Sequence, residues 1–308
     1  MPVPGTPAWV EVSAEDPAAS REFYGRLLGW SFEVSLDPLN HGYTVARHGG
    51  ERVAGLYEAS DGVPPGWLLY LHAPDVDAVR DRVAALGGQV VAGPVDLPGA
   101  GRALLATDPT GAAVGFWQPT ADRSLATGRT GALSRVELLT RDTAAATRFY
   151  GGVFDREQRQ GGTRGLSPTG DHGPHRADRG PHLTDQEPHH VADQHRAADQ
   201  HLATGRHLAT GQGRHRAGDP SRLAFTAAAP SRRRPPGTPP SRWVVHFAVD
   251  PAAGVDAATE LAIALGGAVE VPPFDSPHGR TAILRDPCGA RFSLVDPHQR
   301  VLEVGRSA

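Results

Sequence analysis

The sequence predicts an α+β fold in which paired βαβββ modules form curled mixed sheets with helices outside, interrupted by a long disordered insert in the second module. Three observations predict it. The chain repeats itself once. Within each copy, alternating apolar runs give way to helical spacing and back again. A turn signature, Asp-Pro-x-Gly, recurs at the same place in both copies.

The duplication is read directly. WVEVSAEDPAASREFYGRLLGW at 9–30 returns as RVELLTRDTAAATRFYGGVF at 135–154, an offset of 126. GVPPGWLLYLHAPD at 62–75 returns as GTPPSRWVVHFAVD at 237–250. LGGQVVAGPVDLPGAGRALLATDPTGAAVGFWQP at 86–119 returns as LGGAVEVPPFDSPHGRTAILRDPCGARFSLVDP at 265–297. A unit of about 120 residues is too long for a solenoid repeat and reads as one module used twice.

Within the first copy, Trp9–Ser13 alternates as a strand. Asp16 suits an N-cap with Pro17 at the first helical position, Ala19, Phe23 and Leu27 recur at helical spacing, and Gly29 ends the helix. Tyr43–Ala46 and Arg52–Tyr57 are strands around a Gly49-Gly50 turn, and Trp67–His72 is another. Asp75 caps a helix with Val76, Val79, Val83 and Leu86 on one stripe, stopped by Gly87-Gly88. Strands Arg102–Ala106 and Ala113–Gln118 flank Asp108-Pro109-Thr110-Gly111, which the second copy repeats as Asp286-Pro287-Cys288-Gly289. Arg102 and Arg280, each after a Gly, read as hairpin anchors, while Phe23, Tyr24, Phe149 and Tyr150 read as core.

The second copy is stretched. Phe149 to Trp243 spans 94 positions where Phe23 to Trp67 spans 44. Residues 156–242 hold only seven large apolar side chains, too few to offset the entropy of ordering the chain. The expected layout is a first module at 1–121, a linker at 122–132, the start of the second module at 133–155, a low-complexity insert at 156–236 and the remainder at 237–300. The insert replaces the second module's middle strands with foreign composition. It carries nine of the 15 histidines, and adventitious metal binding is the expected consequence. Arg232-Arg233-Arg234 reads as a solvated basic linker.

Composition narrows the function classes. A formal charge of −3 over 308 residues gives no global case for nucleic acid or an anionic membrane. One cysteine, Cys288, forms no internal disulfide, and the N-terminus lacks the basic and apolar regions of a signal peptide, so a cytoplasmic protein is expected.

The ordered motifs, strand–Asp–helix–FYG–LGW, a W-x-x-Y strand, an Asp-led helix to LGG, then GR and DP-x-G, together resemble the vicinal oxygen chelate superfamily, which holds glyoxalases, bleomycin-resistance proteins and extradiol dioxygenases. The resemblance spans about two thirds of the chain. It implies a concave cup enclosing a small oxygenated or aromatic molecule. In metal-dependent members it implies a divalent ion held by inward His, Glu or Gln side chains. Those positions fall here on Trp9, Leu68 and Gly115, and on Arg135, Val244 and Ser293, none of them a good metal ligand. No cofactor is therefore expected, with a divalent metal left open should the register be displaced by one residue.

Side chains two apart share a face. Glu11, Tyr70, His72 and Trp117 then face the first cup, and Glu137, His246, Arg291 and Val295 the second. Glu11 and Glu137, equivalent by the repeat, are candidate catalytic carboxylates, with pKa values raised unless Arg135 or Arg291 pairs with them. Trp9, Tyr70, His72, Trp117, Arg135, His246, Arg291 and Ser293 are candidate ligand-binding residues. Core packing or a structural ion pair would explain each of them as well. The expectations are a metal-independent lyase, isomerase or hydroxylase, a non-catalytic sequestering protein, or a metal-dependent lyase or dioxygenase. The partner is a small molecule, with no nucleic acid or membrane, on a monomer or homodimer.

Overall fold

The computed structural model describes residues 3–60, 64–97, 100–120, 124–154, 224–227 and 241–298. The first module runs β1 (Pro7–Ala14), α1 (Pro17–Leu28), β2 (Ser31–Val34), β3 (Thr44–His48), β4 (Glu51–Glu58), β5 (Gly66–His72), α2 (Val76–Ala85), β6 (Gln89–Leu97), β7 (Gly101–Thr107) and β8 (Ala113–Pro119). The second runs β9 (Leu133–Thr140), α3 (Thr143–Val153), β10 (Ala224–Ala227), β11 (Arg242–Ala248), α4 (Gly254–Ala264), β12 (Ala268–Ser276), β13 (Gly279–Arg285) and β14 (Arg291–Asp296).

The caps act as their sequence suggests. Asp16 accepts hydrogen bonds from Ala18 N and Ala19 N at 2.9 and 3.0 Å, and Gly29 closes α1 in the left-handed conformation, φ 70°. Asp75 accepts from Asp77 N and Ala78 N at the start of α2, and Asp142 from Ala145 N at the start of α3. β2 and β6 were not anticipated. β2 is a short, largely exposed edge strand with no alternation to read. β6 contains Gly93-Pro94, usually a sign against a strand, and tolerates them as an edge strand whose register shifts twice along β7.

The first sheet has eight strands in the order β2-β3-β4-β1-β5-β8-β7-β6, and the second has six, β10-β9-β11-β14-β13-β12. Where the sequence suggested that the middle strands of the second module were replaced, one strand does form. β10 pairs parallel with β9 and sets Ala224 opposite Glu137, as β4 sets Gly55 opposite Glu11. The His-rich tract and Arg232–Arg234 lie outside the described residues.

The modules interlock through their repeated motifs. Tyr24 donates to Asp286 Oδ2 at 3.0 Å and accepts from Trp67 Nε1 at 3.1 Å. Tyr150 donates to Asp108 Oδ2 at 3.1 Å and accepts from Trp243 Nε1 at 2.9 Å. Each tyrosine of the FYG motif therefore reaches the turn aspartate of the other module. The other carboxylate oxygen of each aspartate holds its own turn, with Thr110 N and Ala112 N on Asp108 and Ala290 N on Asp286. Burial pushes the Asp286 carboxyl above its ordinary range. Around these contacts Tyr24, Trp30, Trp67, Phe247 and Phe292 pack edge to face, tilted or stacked, so one apolar core runs through both modules. The linker is docked as well, with Trp30 Nε1 donating to Gly131 O at 2.6 Å.

Arg102 pairs with Asp77 and Asp96, and Arg280 with Asp256 and Asp275, so each anchors a hairpin to the first turn of a helix. No helix among the described residues is long and apolar enough to cross a membrane.

Candidate functional site: two cups with one register

Strand pairing gives the two inner faces a common address system. In the first module one row reads Trp9, Tyr70, Gly115, Leu105, Ala92 across β1, β5, β8, β7 and β6. In the second the same row reads Arg135, His246, Ser293, Ile283, Val271 across β9, β11, β14, β13 and β12. One step along, Glu11 faces Leu68 and Glu137 faces Val244. Trp9 thus stands opposite Tyr70, with Leu68 one step further along the same face.

The first cup is filled by its own side chains. Glu11 is 5% exposed and accepts from Tyr43 at 2.9 Å through Oε2 and from Tyr70 at 2.8 Å through Oε1. Trp9 Nε1 donates to the Tyr43 hydroxyl at 2.8 Å. Burial, and then the Glu11 charge, raise the pKa values of Tyr43, Tyr57 and Tyr70, so all three keep their protons at neutral pH. Glycine makes room: a Cβ at Gly55 would overlap the Tyr43 hydroxyl, and one at Gly115 the Tyr70 ring. Tyr70, Ala92, Leu97, Ala100 and Ala103 then form a separate apolar cluster, with Trp9, Leu68 and Trp117 packed on it. Trp117 meets Tyr70 edge-on at 6.5 Å. His72, paired with Trp117 on the next strand, has its pKa lowered by burial, and its Nδ1 has no hydrogen-bond partner among the described residues.

The second cup is charged. His246 is 3% exposed, and its Nε2 lies 3.2 Å from Glu137 Oε2. Arg135 Nη2 lies 3.5 Å from the same oxygen. Burial opposes the Glu137 charge, but His246 and then Arg135 outweigh it and hold the carboxyl below its ordinary range. Burial lowers His246 despite the neighbouring carboxylate, leaving a neutral imidazole at pH 7. Neither His246 nitrogen has a hydrogen-bond partner among the described residues, so the approach of Nε2 to Oε2 is a close contact rather than an aligned hydrogen bond. The Glu137 and Arg135 side chains remain 14% and 15% exposed, so the carboxylate can be reached.

Arg291 does not pair with Glu137. It stands on β14, one strand beyond Val244, and bonds Glu270 on β12, which Arg285 shares. Ser293 faces the cup, but its hydroxyl is spent on Ala282 O at 2.8 Å. Val295 is buried.

Sequence reasoning missed Tyr43, which reaches Glu11 across β4, Tyr57, which acts on it from β4 itself, and Arg242, Arg285, Glu270 and His278 in the second cup. Arg242 was recoverable, because it lies two residues before Val244 on the inner face. Tyr43 was not, because its contact spans a strand that the sequence does not order.

A family model described as the Glyoxalase/Bleomycin resistance protein/Dioxygenase superfamily matches residues 6–116 and 132–294, and the chain belongs to that family. Among particular relatives, it is 32% identical over 309 residues to the anthracycline biosynthesis protein DnrV of Streptomyces peucetius, covering 95% of this chain and 94% of that one. It is 35% identical over 302 residues to the Mycobacterium bovis protein CFP32, whose name proposes a glyoxylase, covering 95% of each. Its fold is shared with the 2,3-dioxygenase LapB from Pseudomonas sp. KL28, with a TM-score of 0.54, 13% identity and coverage of 100% and 98% of the two chains. It is also shared with an Mn(II)-bound glyoxalase from Novosphingobium aromaticivorans, with a TM-score of 0.51, 14% identity and coverage of 98% and 87%.

The family's divalent ion is a poor fit to these side chains. Trp9 and Gly115 in one row offer no donor. In the other row, Arg135 places a positive charge where a cation would sit, and the Ser293 hydroxyl is engaged. Among the described residues no group of three or more His, Cys, Asp or Glu side chains is arranged to hold a metal.

Proposed function

We propose that the second cup binds a small oxygenated or aromatic molecule and that Glu137 transfers a proton on it without the family's metal. The observation that carries this reading is the Arg135–Glu137–His246 cluster, a reachable carboxylate between a buried neutral imidazole and a guanidinium. Both contacts use Oε2, and Oε1 makes no hydrogen bond among the described residues. That oxygen can take a proton from a carbon next to a carbonyl, while Arg135 stabilises the oxyanion that develops. His246 stands beside Oε2, with Nε2 at 3.2 Å, and its imidazole limits where the carboxylate can turn. The reaction class is proton transfer of the lyase or isomerase kind. Glu11, tied to two tyrosines, serves the first cup's structure in this reading, and Trp9, Tyr70 and Trp117 serve its packing.

Two relatives named for anthracycline biosynthesis fit an oxygenated aromatic ligand. Non-catalytic sequestration would use the same cup, and the following experiment separates the two. A panel of small carbonyl compounds is incubated with the full chain in D2O, and exchange at the carbon next to the carbonyl is followed by NMR. Exchange in the wild type, lost at least a hundredfold in Glu137→Gln and kept in Glu11→Gln, supports proton transfer. Binding without exchange leaves sequestration. Exchange that survives in Glu137→Gln contradicts the assignment.

A further inference from the structure

Three guanidinium groups gather beyond Val244 on the second cup's inner face and share a single carboxylate. Arg291 bonds Glu270, and Arg285 Nε lies 3.4 Å from the same side chain. Arg242 stands on β11, two residues from Val244 and four from His246, on the same face. Its Nε is buried without a hydrogen-bond partner among the described residues. Burial and the charges of Arg291 and Arg285 lower its pKa, against a weaker pull from Glu270. Three positive charges against one leave this end of the cup two charges in excess. The first cup has no arginine at the equivalent positions, where Gly66, Ala113 and Thr107 stand for Arg242, Arg291 and Arg285.

A guanidinium with an open, desolvated N–H, crowded by like charges, is relieved by an anion. Its planar fork matches the two oxygens of a carboxylate. We infer that the cup's ligand is a small organic carboxylate whose acid group docks on Arg242, Arg291 and Arg285. This rests on the second cup being the ligand site. Arg291 stands about two strand spacings from Glu137, roughly 10 Å between backbones, and both side chains reach inward. A ligand with its carboxylate a few bonds from a carbonyl would span them.

The test uses the full chain, with benzoate, its neutral counterpart benzamide, and sulfate as probes, all at one ionic strength. Binding is read by calorimetry and located by NMR shifts. Benzoate should bind at least tenfold tighter than benzamide. Arg242→Gln should erase that preference while leaving the melting temperature within a few degrees, since Arg242 Nε makes no hydrogen bond among the described residues and its pull from Glu270 is weaker than the repulsion of Arg291. Arg242→Lys should recover part of it. Benzamide binding equally well in the cup would overturn the carboxylate while leaving the second cup as the ligand site. Sulfate binding tighter than benzoate would also overturn it. Benzoate located in the first cup would overturn both readings.

Discussion

The two cups descend from one unit and keep one register, yet they spend the same positions differently. Where the first module has Trp9, Tyr70 and Gly115, the second has Arg135, His246 and Ser293. The glutamate is common to both. In the first cup two tyrosine hydroxyls saturate it, and glycines at positions 55 and 115 let those rings lie against the sheet. In the second it pairs, among the described residues, with an imidazole and a guanidinium, and Ala224 stands at the address of Gly55. A duplicated carboxylate has become a structural hub in one copy and a reachable charged group in the other. Register fixes where a side chain points. Its neighbours decide whether it holds the fold or acts on a ligand.

Exchanging the glutamates should separate the cups most strongly. Glu11→Ala strands two buried tyrosine hydroxyls and should cost about 3 kcal/mol in denaturant unfolding. Glu137→Ala removes the carboxylate from Arg135 and His246 but strands no hydroxyl, and should cost less, about 1.5 kcal/mol. Equal costs would erase the distinction. Next, alanine at equivalent positions should act unequally. Gly115→Ala drives a methyl into the Tyr70 ring and should cost about 2 kcal/mol, whereas Ser293→Ala loses one hydroxyl bond and should cost about 1 kcal/mol.

The interlock is where the modules should behave alike. Tyr24→Phe and Tyr150→Phe each remove a buried hydroxyl joining an indole to an aspartate. Each should lower stability by about 1.5 kcal/mol, agreeing within about 0.5 kcal/mol. The smallest effect is in pH. His246 has a folded-state pKa lowered by burial from 6.5, so the unfolded chain takes the proton first on acidification. Its share of stability is therefore lost as pH falls below about 6.5. Glu137, also depressed, adds stability above its unfolded value of 4.5 that is lost as pH falls further. His246→Gln should flatten the melting temperature between pH 7 and 5, leaving a smaller slope from His72, whose pKa is lowered in the same direction.

Much of the scaffold was legible because duplication and capping are local signals. Asp16 with Pro17, Asp75 before its valine stripe, and the paired DP-x-G turns all act as read. β2, β6 and β10 were not legible. β2 and β6 are edge strands, one too short and one interrupted by Gly-Pro, while the four residues of β10 sit within polar, repetitive sequence. The i±2 argument placed Glu11, Tyr70, Glu137 and His246 on the inner faces, where their contacts put them. It could not foresee that Tyr43 would saturate Glu11, or that Arg291 would choose Glu270 over Glu137, because both depend on pairing between distant strands.

The central claim is that the second cup alone takes a ligand, and soaking crystals of the full chain with a mixture of small carboxylic and carbonyl compounds tests it most directly. Difference density is expected between Glu137 and Arg242, with the first cup unchanged and both tyrosine hydroxyls still on Glu11. Ordered density beside Glu11, with Tyr43 or Tyr70 turned away from it, would contradict it.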